Sequence, residues 1–238
     1  MPNLVLAIDG PSGSGKSSTA KAIALRANWS YLDTGALYRA VTYLALENNF
    51  ESENEIVNSL KSNTIFFDTN PANPKIFVNG KDVSSEIRLQ RINDLVSKVS
   101  AMPEVRKILL ELQRKYIAEA PIGIVVEGRD IGTVVAPDAQ LKVYLHADID
   151  ARAQRRENEM LESIDRSEVG KSLASRDEVD STRAVSPLTQ AEDAAVIDST
   201  RLSLQEVVDQ IWKWLKQRNL LGLPTIAVIG RPNVGKST

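Results

Sequence analysis

The strongest constraint on this chain is a short segment near its N-terminal end, where the apolar run LVLAI at residues 4–8 leads into GPSGSGKS at residues 10–17. The apolar run predicts a strand, and the residues after the loop predict a helix over 16–27. Glycines let the backbone wrap closely enough for its N–H groups to face phosphate oxygens, and the helix N-terminus attracts an anion. This order of strand, loop and helix predicts a nucleoside triphosphate site in an α/β fold.

The side chains of this loop suit a nucleotide bound together with magnesium. Lys16 is expected to reach the β- and γ-phosphates, and the Ser17 hydroxyl is expected to be a ligand of Mg²⁺. An ordinary Gly/Ser-rich turn before a helix is the alternative, and the complete order of strand, loop, Lys-Ser and helix favours phosphate binding. The predicted ATP contacts are Gly10, Pro11, Ser12, Gly13, Ser14, Gly15, Lys16, Ser17 and Ser18.

Composition excludes several other kinds of chemistry. The chain has no cysteine and a single histidine, His146, so disulfides, thiolate catalysis and His-based metal clusters or triads are excluded. The net charge of −2 gives no support to non-specific nucleic-acid binding. No apolar run approaches the roughly 20 residues that a transmembrane helix needs. We therefore expect a monomeric cytoplasmic protein without membrane or nucleic-acid partners, whose chemistry uses Lys, Arg, Asp, Glu and hydroxyl groups.

Further apolar runs at residues 122–126, 141–145 and 195–197 resemble the first one. Their near-continuous apolar character is typical of strands covered on both faces, as in a parallel sheet. Helical patterns lie between and after them, with one apolar face made of Val105, Ile108, Leu109, Leu112 and Ile117 and another made of Leu204, Val207, Val208, Ile211 and Leu215. The pattern predicts a doubly wound parallel sheet with its site outside the carboxyl ends of the strands.

Two stretches depart from this alternation. Runs at residues 64–67 and 75–78, followed by the turn dipeptide Asn79-Gly80, predict a small antiparallel β insert over about residues 62–90. The polar stretch at about residues 151–183 holds six arginines, which suits either a solvated helical hairpin or a lid that closes over phosphates. These arginines are Arg152, Arg155, Arg156, Arg166, Arg176 and Arg183.

Three further motifs carry a family resemblance. They are YLDTGALYR at residues 31–39, EGRDIGTVV at 127–135 and TRAVSPL at 182–188, and together they resemble bacterial cytidylate kinases. The resemblance runs from residue 4 to about residue 214 and includes the small insert. It implies a P-loop nucleoside monophosphate kinase domain over residues 1–220, with an acceptor-side insert and a helical lid. It also implies transfer of the γ-phosphoryl group of ATP to CMP or dCMP.

The resemblance also implies roles for the acceptor side. Arg39, Arg129 and Arg183 match the residues that hold the acceptor phosphate, for which the forked guanidinium group is well suited. Taken singly, Arg39 or Arg106 suits a solvated surface charge, and Arg129 with Asp130 suits a structural ion pair. The other matched positions are Asp33 and Thr34 near the acceptor, Ser97, Arg106 and Asp130 at the cytosine base, and Arg176 and Asp180 at the sugar hydroxyls.

The expected chemistry needs no general base. A monophosphate has a second pKa of about 6, so its oxygens are already ionised at neutral pH. Lys16, Mg²⁺, Arg129 and mobile lid arginines are expected to neutralise the charge of the transferring group. Among the lid arginines, Arg152, Arg155 and Arg156 are candidates, and we favour Arg155 and Arg156. Glu127 is expected to order water bound to Mg²⁺, and His146 is expected to be structural.

A second GxxxxGKS motif lies at residues 230–237, after a boundary marked by Gly222 and Pro224. Residues 225–238 resemble the first strand and loop of the Der-type tandem GTPases, which act in ribosome assembly. No switch segment or guanine-reading motif accompanies this second loop. We therefore expect residues 221–238 to be a linker and the truncated start of a GTPase.

Two other functions stay open at this point. One is a kinase for another monophosphate, such as UMP or AMP. The other is a catalytically silent nucleotide-binding module that serves as a scaffold. The presence of Lys16, Ser17 and the whole set of arginines favours an active kinase over the silent module.

Overall fold

The computed structural model describes residues 4–159, 166–183 and 185–221. Its strands are, in chain order, β1 (Leu4–Asp9), β2 (Ser30–Asp33), β3 (Ile65–Asp68), β4 (Lys75–Val78), β5 (Lys81–Asp82), β6 (Gly123–Gly128), β7 (Leu141–His146) and β8 (Ala195–Asp198). Its α-helices are α1 (Lys16–Ala27), α2 (Thr34–Glu47), α3 (Glu53–Leu60), α4 (Gln90–Ser100), α5 (Pro103–Glu119), α6 (Ile149–Glu159), α7 (Arg166–Thr182) and α8 (Leu204–Gln217).

Five strands form the main sheet in the order β2-β6-β1-β7-β8, and every neighbouring pair is parallel. The four predicted apolar runs are β1, β6, β7 and β8, which confirms the predicted doubly wound α/β fold. The edge strand β2 was not among the predicted strands. It is four residues long, and its terminal Ser30 and Asp33 interrupt the apolar signal.

The main core lies where the helices cover this sheet. Leu6, Ile8, Val125 and Val126 are fully buried, because these central strands are covered on both faces. Helix α8 buries Val207, Val208, Ile211 and Leu215, as its pattern predicts. Leu204 in the first turn of α8 is the exception, since 47 % of it is exposed. No helix in the described ranges is long and apolar enough to cross a membrane.

The predicted insert is an antiparallel sheet with the strand order β3-β4-β5. Asn79 and Gly80 join β4 to β5 with φ values of 52° and 78°, so both have the left-handed conformation that a tight hairpin of this kind requires. Tyr116 of α5 holds the insert against the main domain, because its hydroxyl accepts the N–H of Phe67 at 2.7 Å.

Two helices, α6 and α7, form the region predicted as a hairpin or lid, and they pack against each other. The join between them, at residues 160–165, and the side chain of Arg166 lie outside the described part of the chain, as does the predicted linker and second loop over 222–238. Ala153 of α6 and Leu173 of α7 are both buried. Each helix of the pair thus buries one apolar side chain.

Candidate active site

The loop between β1 and α1 has the backbone geometry that the sequence predicts. Gly10 has a φ of 147°, and a Cβ atom there would lie 2.0 Å from the carbonyl oxygen of Leu145, so no other residue fits. Lys16 begins α1, and its Nζ donates to the carbonyl of Pro11 at 2.7 Å, curling over the loop. The loop thus surrounds a space at the helix N-terminus that suits an anion.

Two acidic side chains lie beneath this loop, at the carboxyl ends of β1 and β6. Asp9 accepts the N–H groups of Ile131 and Gly132 at 2.8 and 2.7 Å, and burial raises its pKa to about 6. Glu127 is buried, and its burial and the nearby Asp33 raise its pKa. Burial and the nearby Arg129 lower the pKa of Lys16. The Glu127 carboxyl group and the Lys16 ammonium group therefore both titrate unusually close to neutral pH.

Glu127 is held from several sides. The Tyr31 hydroxyl donates to Glu127 Oε1 at 2.5 Å, and Thr34 Oγ1 donates to the Glu127 carbonyl at 2.8 Å. The Ser17 hydroxyl also bonds to the Glu127 side chain. Ser17 and Glu127 together present hydroxyl and carboxylate oxygens beside the phosphate site. These are the ligand types that Mg²⁺ prefers when it is shared with nucleotide phosphates, so the donor set fits this ion.

The three predicted acceptor-phosphate arginines come from three different elements. Arg129 follows β6 and donates to the carbonyl of Gly10 at 3.1 Å, while its Nε pairs with Asp180 at 3.2 Å. Arg39 on α2 donates to Asn93 Oδ1 at 2.7 Å, and burial, with the nearby Arg176 and Arg156, lowers its pKa to about 9. The third, Arg183, lies just beyond α7 and pairs with Asp180 at 3.4 Å.

The predicted base-reading residues include a buried ion pair. Arg106 of α5 pairs with Asp130, and both residues are 5 % exposed. Arg183 lies 3.8 Å from the other oxygen of Asp130. The Arg106 guanidinium also lies 5.3 Å from the ring centroid of Tyr38, within range of a cation–π contact. Ser97 lines the same side of the cavity.

These ion pairs test the alternative, left open by the sequence, that Arg129 and Asp130 pair with each other. Arg129 and Asp130 are neighbours in the chain, but Arg129 pairs with Asp177 and Asp180, whereas Asp130 pairs with Arg106 and Arg183. The simple ion pair between Arg129 and Asp130 is therefore not what the structure contains. Each of the two side chains has a separate direction and separate partners.

The predicted sugar-side residues lie on α7. Asp180 is 7 % exposed and accepts from both Arg129 and Arg183. Burial and the nearby Arg129 and Arg156 lower the pKa of Arg176 to about 10. Its buried Nε has no hydrogen-bond partner within the described ranges. Arg176 is thus a cation that faces the cavity with donor capacity to spare.

The lid arginines have different positions, although the sequence groups them together. Arg155 donates to the carbonyl of Ser14 at 3.3 Å and to Ser199 Oγ at 3.0 Å, which ties α6 to the back of the loop. Arg152 donates to the carbonyl of Ser12 at 3.1 Å. Arg156 is the member of this group that lines the cavity. Successive helical residues point about 100° apart, which explains why Arg155 and Arg156 differ.

The structure adds residues that the sequence did not indicate. Asp177 pairs with both Arg129 and Arg152, and Arg88 joins the cavity wall from the insert side. Asp9 is a further addition, although the sequence carries a signal for it, because an acidic residue between an apolar strand and the phosphate loop needs a local partner. Asp177 gave no such signal, since it lies in a generally charged helix. His146 at the end of β7 lies outside the cavity lining.

Most of the predicted site residues line one open cavity, whereas Gly10, Pro11, Ser14 and Arg155 lie outside its lining. The phosphate loop forms one side of it, and α2, α4, α5, α6 and α7 contribute to the others. Its wall contains four acidic side chains and eight cationic ones. The acidic ones are Asp33, Glu127, Asp130 and Asp180, and the cationic ones are Lys16, Arg39, Arg88, Arg106, Arg129, Arg156, Arg176 and Arg183.

A parallel sheet with a phosphate loop at its carboxyl edge, facing a cavity rich in arginine, defines a P-loop kinase. Solved structures share this fold. A gluconokinase from Sinorhizobium meliloti 1021 superposes with a TM-score of 0.50 at 15 % identity, covering 92 % of this chain and 95 % of its own. An uncharacterized protein from Eubacterium ventriosum superposes with a TM-score of 0.53 at 13 % identity, covering 90 % and 99 %. Identities this low support the fold alone.

Sequence comparison gives the family within this class. The profile of the Cytidylate kinase family matches residues 6–217, so the chain belongs to the cytidylate kinase family. A cytidylate kinase from Carboxydothermus hydrogenoformans is 46 % identical over 219 residues, covering 90 % of this chain and 98 % of that protein. A cytidylate kinase from Streptomyces griseus is 50 % identical over 209 residues, covering 87 % and 90 %.

Proposed function

We propose that this protein transfers the γ-phosphoryl group of ATP to CMP or dCMP, giving ADP and CDP or dCDP. The observation that carries the proposal is the cavity wall, which has four more cationic than acidic side chains. Mg²⁺-bound ATP together with a nucleoside monophosphate brings about four negative charges. The charge of the wall thus matches that of the two substrates bound together.

The donor side follows from the loop. Its backbone N–H groups and the N-terminus of α1 bind the phosphates of ATP, and Lys16 moves from the Pro11 carbonyl to the β- and γ-phosphates. Ser17 would be the protein ligand of Mg²⁺, and Glu127 would order a water molecule bound to the ion. When bound, the ion neutralises charge on the phosphate oxygens and orients them.

The acceptor side holds its phosphate between Arg39, Arg129 and Arg183, whose guanidinium groups can each make a bidentate contact. Arg176 and Asp180 contact the sugar hydroxyls. Asp33 is mainly structural in this account, because its side chain caps α2 by accepting the Ala36 N–H at 3.0 Å. The hydroxyl of Thr34 is likewise engaged within the protein, because it donates to the Glu127 carbonyl.

Cytosine is read by the buried pair of Arg106 and Asp130 together with Ser97. The Asp130 carboxylate can accept from the exocyclic amine of cytosine, while Arg106 and Ser97 can donate to its carbonyl and ring nitrogen. Uracil has a carbonyl where cytosine has the amine, so Asp130 disfavours it. This polarity supports cytosine over uracil as the base.

The chemical step is an in-line attack by an ionised oxygen of the acceptor phosphate, so no proton acceptor is needed. Positioning and charge neutralisation do the work, through Lys16 and Arg129 from the fixed core and through Arg156 from α6. Arg155 secures α6 to the loop through Ser14 and Ser199. Packing of α6 and α7 over the cavity keeps water from the γ-phosphate.

An acceptor screen tests this function. ADP release is measured with CMP, dCMP, UMP and AMP at equal concentrations, with ATP hydrolysis in the absence of an acceptor as the baseline. We expect turnover with CMP and dCMP well above that with UMP or AMP. Preference for UMP or AMP would assign another monophosphate kinase, and nucleotide binding without turnover would favour the silent scaffold.

We also propose that residues 221–238 are a linker and the beginning of a GTPase that is separate from the kinase. The family match ends at residue 217, and the second GxxxxGKS follows at 230–237, which supports this division. A variant that lacks residues 222–238 should retain the kcat and melting temperature of the parent. GTP hydrolysis that depends on Lys236 in the parent chain would contradict this proposal.

A further inference from the structure

Tyr31 of β2 lies outside the cavity lining, but its hydroxyl donates to the Glu127 carboxylate that lies beside the phosphate loop. We propose that Tyr31 is a positioning residue, whose hydroxyl holds the Glu127 carboxylate against the phosphate loop and links it to the insert. This inference rests on the proposed function, because it gives Glu127 its place beside the Mg²⁺-bound nucleotide.

Tyr31 is fixed in place by its surroundings. It is 2 % exposed, and its N–H donates to the carbonyl of Thr69, just after β3, at 2.9 Å. Its ring meets the ring of Phe67 edge to face, with centroids 6.1 Å apart and an interplanar angle of 62°. This contact joins Tyr31 of β2 to the first strand of the insert. The hydroxyl is therefore delivered from a rigid and fully packed position.

The hydroxyl points to one oxygen of a carboxylate that is itself 3 % exposed. Because Tyr31 takes Oε1 of Glu127, the carboxylate is kept from turning freely within its buried site. The Glu127 carboxylate also interacts with Ser17 and Lys16, which belong to the phosphate loop. Tyr31 and the loop thus hold Glu127 between them.

Removal of the hydroxyl should act on the metal-dependent part of ATP binding. Without its partner, the Glu127 carboxylate is free to rotate toward Lys16, and the water that it orders loses its fixed position. Loss of an outer hydrogen-bond partner at a metal site costs about 10- to 100-fold in metal affinity or activity. The acceptor arginines do not contact Tyr31, so CMP binding should be unchanged.

The test compares Tyr31→Phe with Tyr116→Phe. Both variants lose one phenol hydroxyl near Phe67, but only the hydroxyl of Tyr31 contacts Glu127, whereas that of Tyr116 accepts the N–H of Phe67. Calorimetry gives the dissociation constant of ATP with and without Mg²⁺. For Tyr31→Phe we expect the tightening by Mg²⁺ to shrink about 10-fold and kcat to fall by a similar factor. Tyr116→Phe should keep the parent values, and both variants should bind CMP as the parent does.

A double variant separates positioning from general damage to the fold. In a Glu127→Gln background, Tyr31→Phe should have no further effect on the Mg²⁺ dependence, because the charged carboxylate it positions is gone. An additive effect, or a Tyr31→Phe variant with the Mg²⁺ dependence of the parent, would overturn the inference. The calorimetric measurements of ATP binding do not need turnover of CMP. A failure of the proposed function would therefore be seen in the acceptor screen and not in these measurements.

Discussion

The carboxylate of Asp177, on α7, accepts the backbone N–H of Ser12 in the phosphate loop at 3.3 Å. Arg152 of α6 completes the contact, since it pairs with Asp177 and donates to the Ser12 carbonyl at 3.1 Å. The N–H of Ser12 is thus held by α7, and its carbonyl is held by α6. The Asp177 carboxylate also lies 3.4 Å from Arg129. The lid helices and the phosphate loop therefore form one connected unit.

We predict that Asp177→Ala destabilises the fold, because Arg152 and Arg129 each lose a carboxylate partner that is only 18 % exposed. Loss of one member of such a mostly buried network should lower the free energy of unfolding by about 2–4 kcal/mol. Urea denaturation measures this. Glu178→Ala is the matched control, since Glu178 is the exposed neighbour on the same helix and should change stability by less than about 0.5 kcal/mol. Equal stability of the two variants would show that the contacts of Asp177 with Ser12, Arg129 and Arg152 do not stabilise the fold.

Lys16→Ala should abolish turnover and leave the fold intact. Lys16 is the cation that the loop presents to the transferring group, and removal of one preorganised charge there costs about 10²-fold or more in kcat. Circular dichroism reports the fold and a coupled assay reports kcat. Lys21→Ala, on the same helix but outside the cavity lining, is the control and should retain activity. A folded Lys16→Ala variant with kcat within about tenfold of the parent would exclude this mechanism.

Asp130→Asn should change the choice of base. Asp130 is paired with Arg106 and lies near Arg183, so alanine there would leave buried guanidinium groups unpaired, whereas asparagine keeps the shape. Loss of a charged acceptor for the cytosine amine should lower kcat/KM for CMP by about 10- to 100-fold. UMP should lose less or improve. The ratio of the two kcat/KM values is the measurement, and exposed Asp138→Asn is the control. An unchanged ratio would remove Asp130 from base recognition.

Binding of Mg²⁺-bound ATP should depend on pH as a bell. Burial and the nearby Asp33 raise the pKa of Glu127. As the pH falls, Glu127 therefore loses its negative charge sooner than an ordinary carboxylate does. Burial and the nearby Arg129 lower the pKa of Lys16. As the pH rises, Lys16 therefore loses its positive charge sooner than an ordinary lysine does. The affinity should therefore peak near neutrality.

Calorimetry without CMP, between about pH 5 and 10, keeps the acceptor's own ionisation out of this measurement. Glu127→Gln should reduce the dependence on the acid side, where Asp9 and the γ-phosphate of ATP still titrate, and should keep the dependence on the alkaline side. If the acid side of the curve is the same in Glu127→Gln and the parent, Glu127 is not the group that titrates.

The features that the sequence predicts are those with a local signal. Strands buried on both faces carry continuous apolar runs, so β1, β6, β7 and β8 are recognisable, whereas the four-residue edge strand β2 is not. The insert hairpin is marked by Asn79 and Gly80, whose left-handed conformation few other residues adopt.

The parts of the site that the sequence could not give depend on tertiary contacts. Arg155 and Arg156 are equivalent as sequence, and only the packing of α6 decides that Arg155 meets Ser14 and Ser199. The partners of Asp177 come from the residue after β6, from α6 and from the phosphate loop, three segments that are distant along the chain. The contact between Tyr31 and Glu127 likewise depends on the pairing of β2 with β6.

Transfer of a radioactive γ-phosphoryl group tests the central claim most directly. The protein is incubated with Mg²⁺, ATP labelled at the γ-phosphate, and CMP, and the products are separated by chromatography. The account predicts label in the β-phosphate of CDP, formed in equal amount to ADP, and none of this product with Lys16→Ala. Label found only as inorganic phosphate, at a rate that does not depend on CMP, would contradict it.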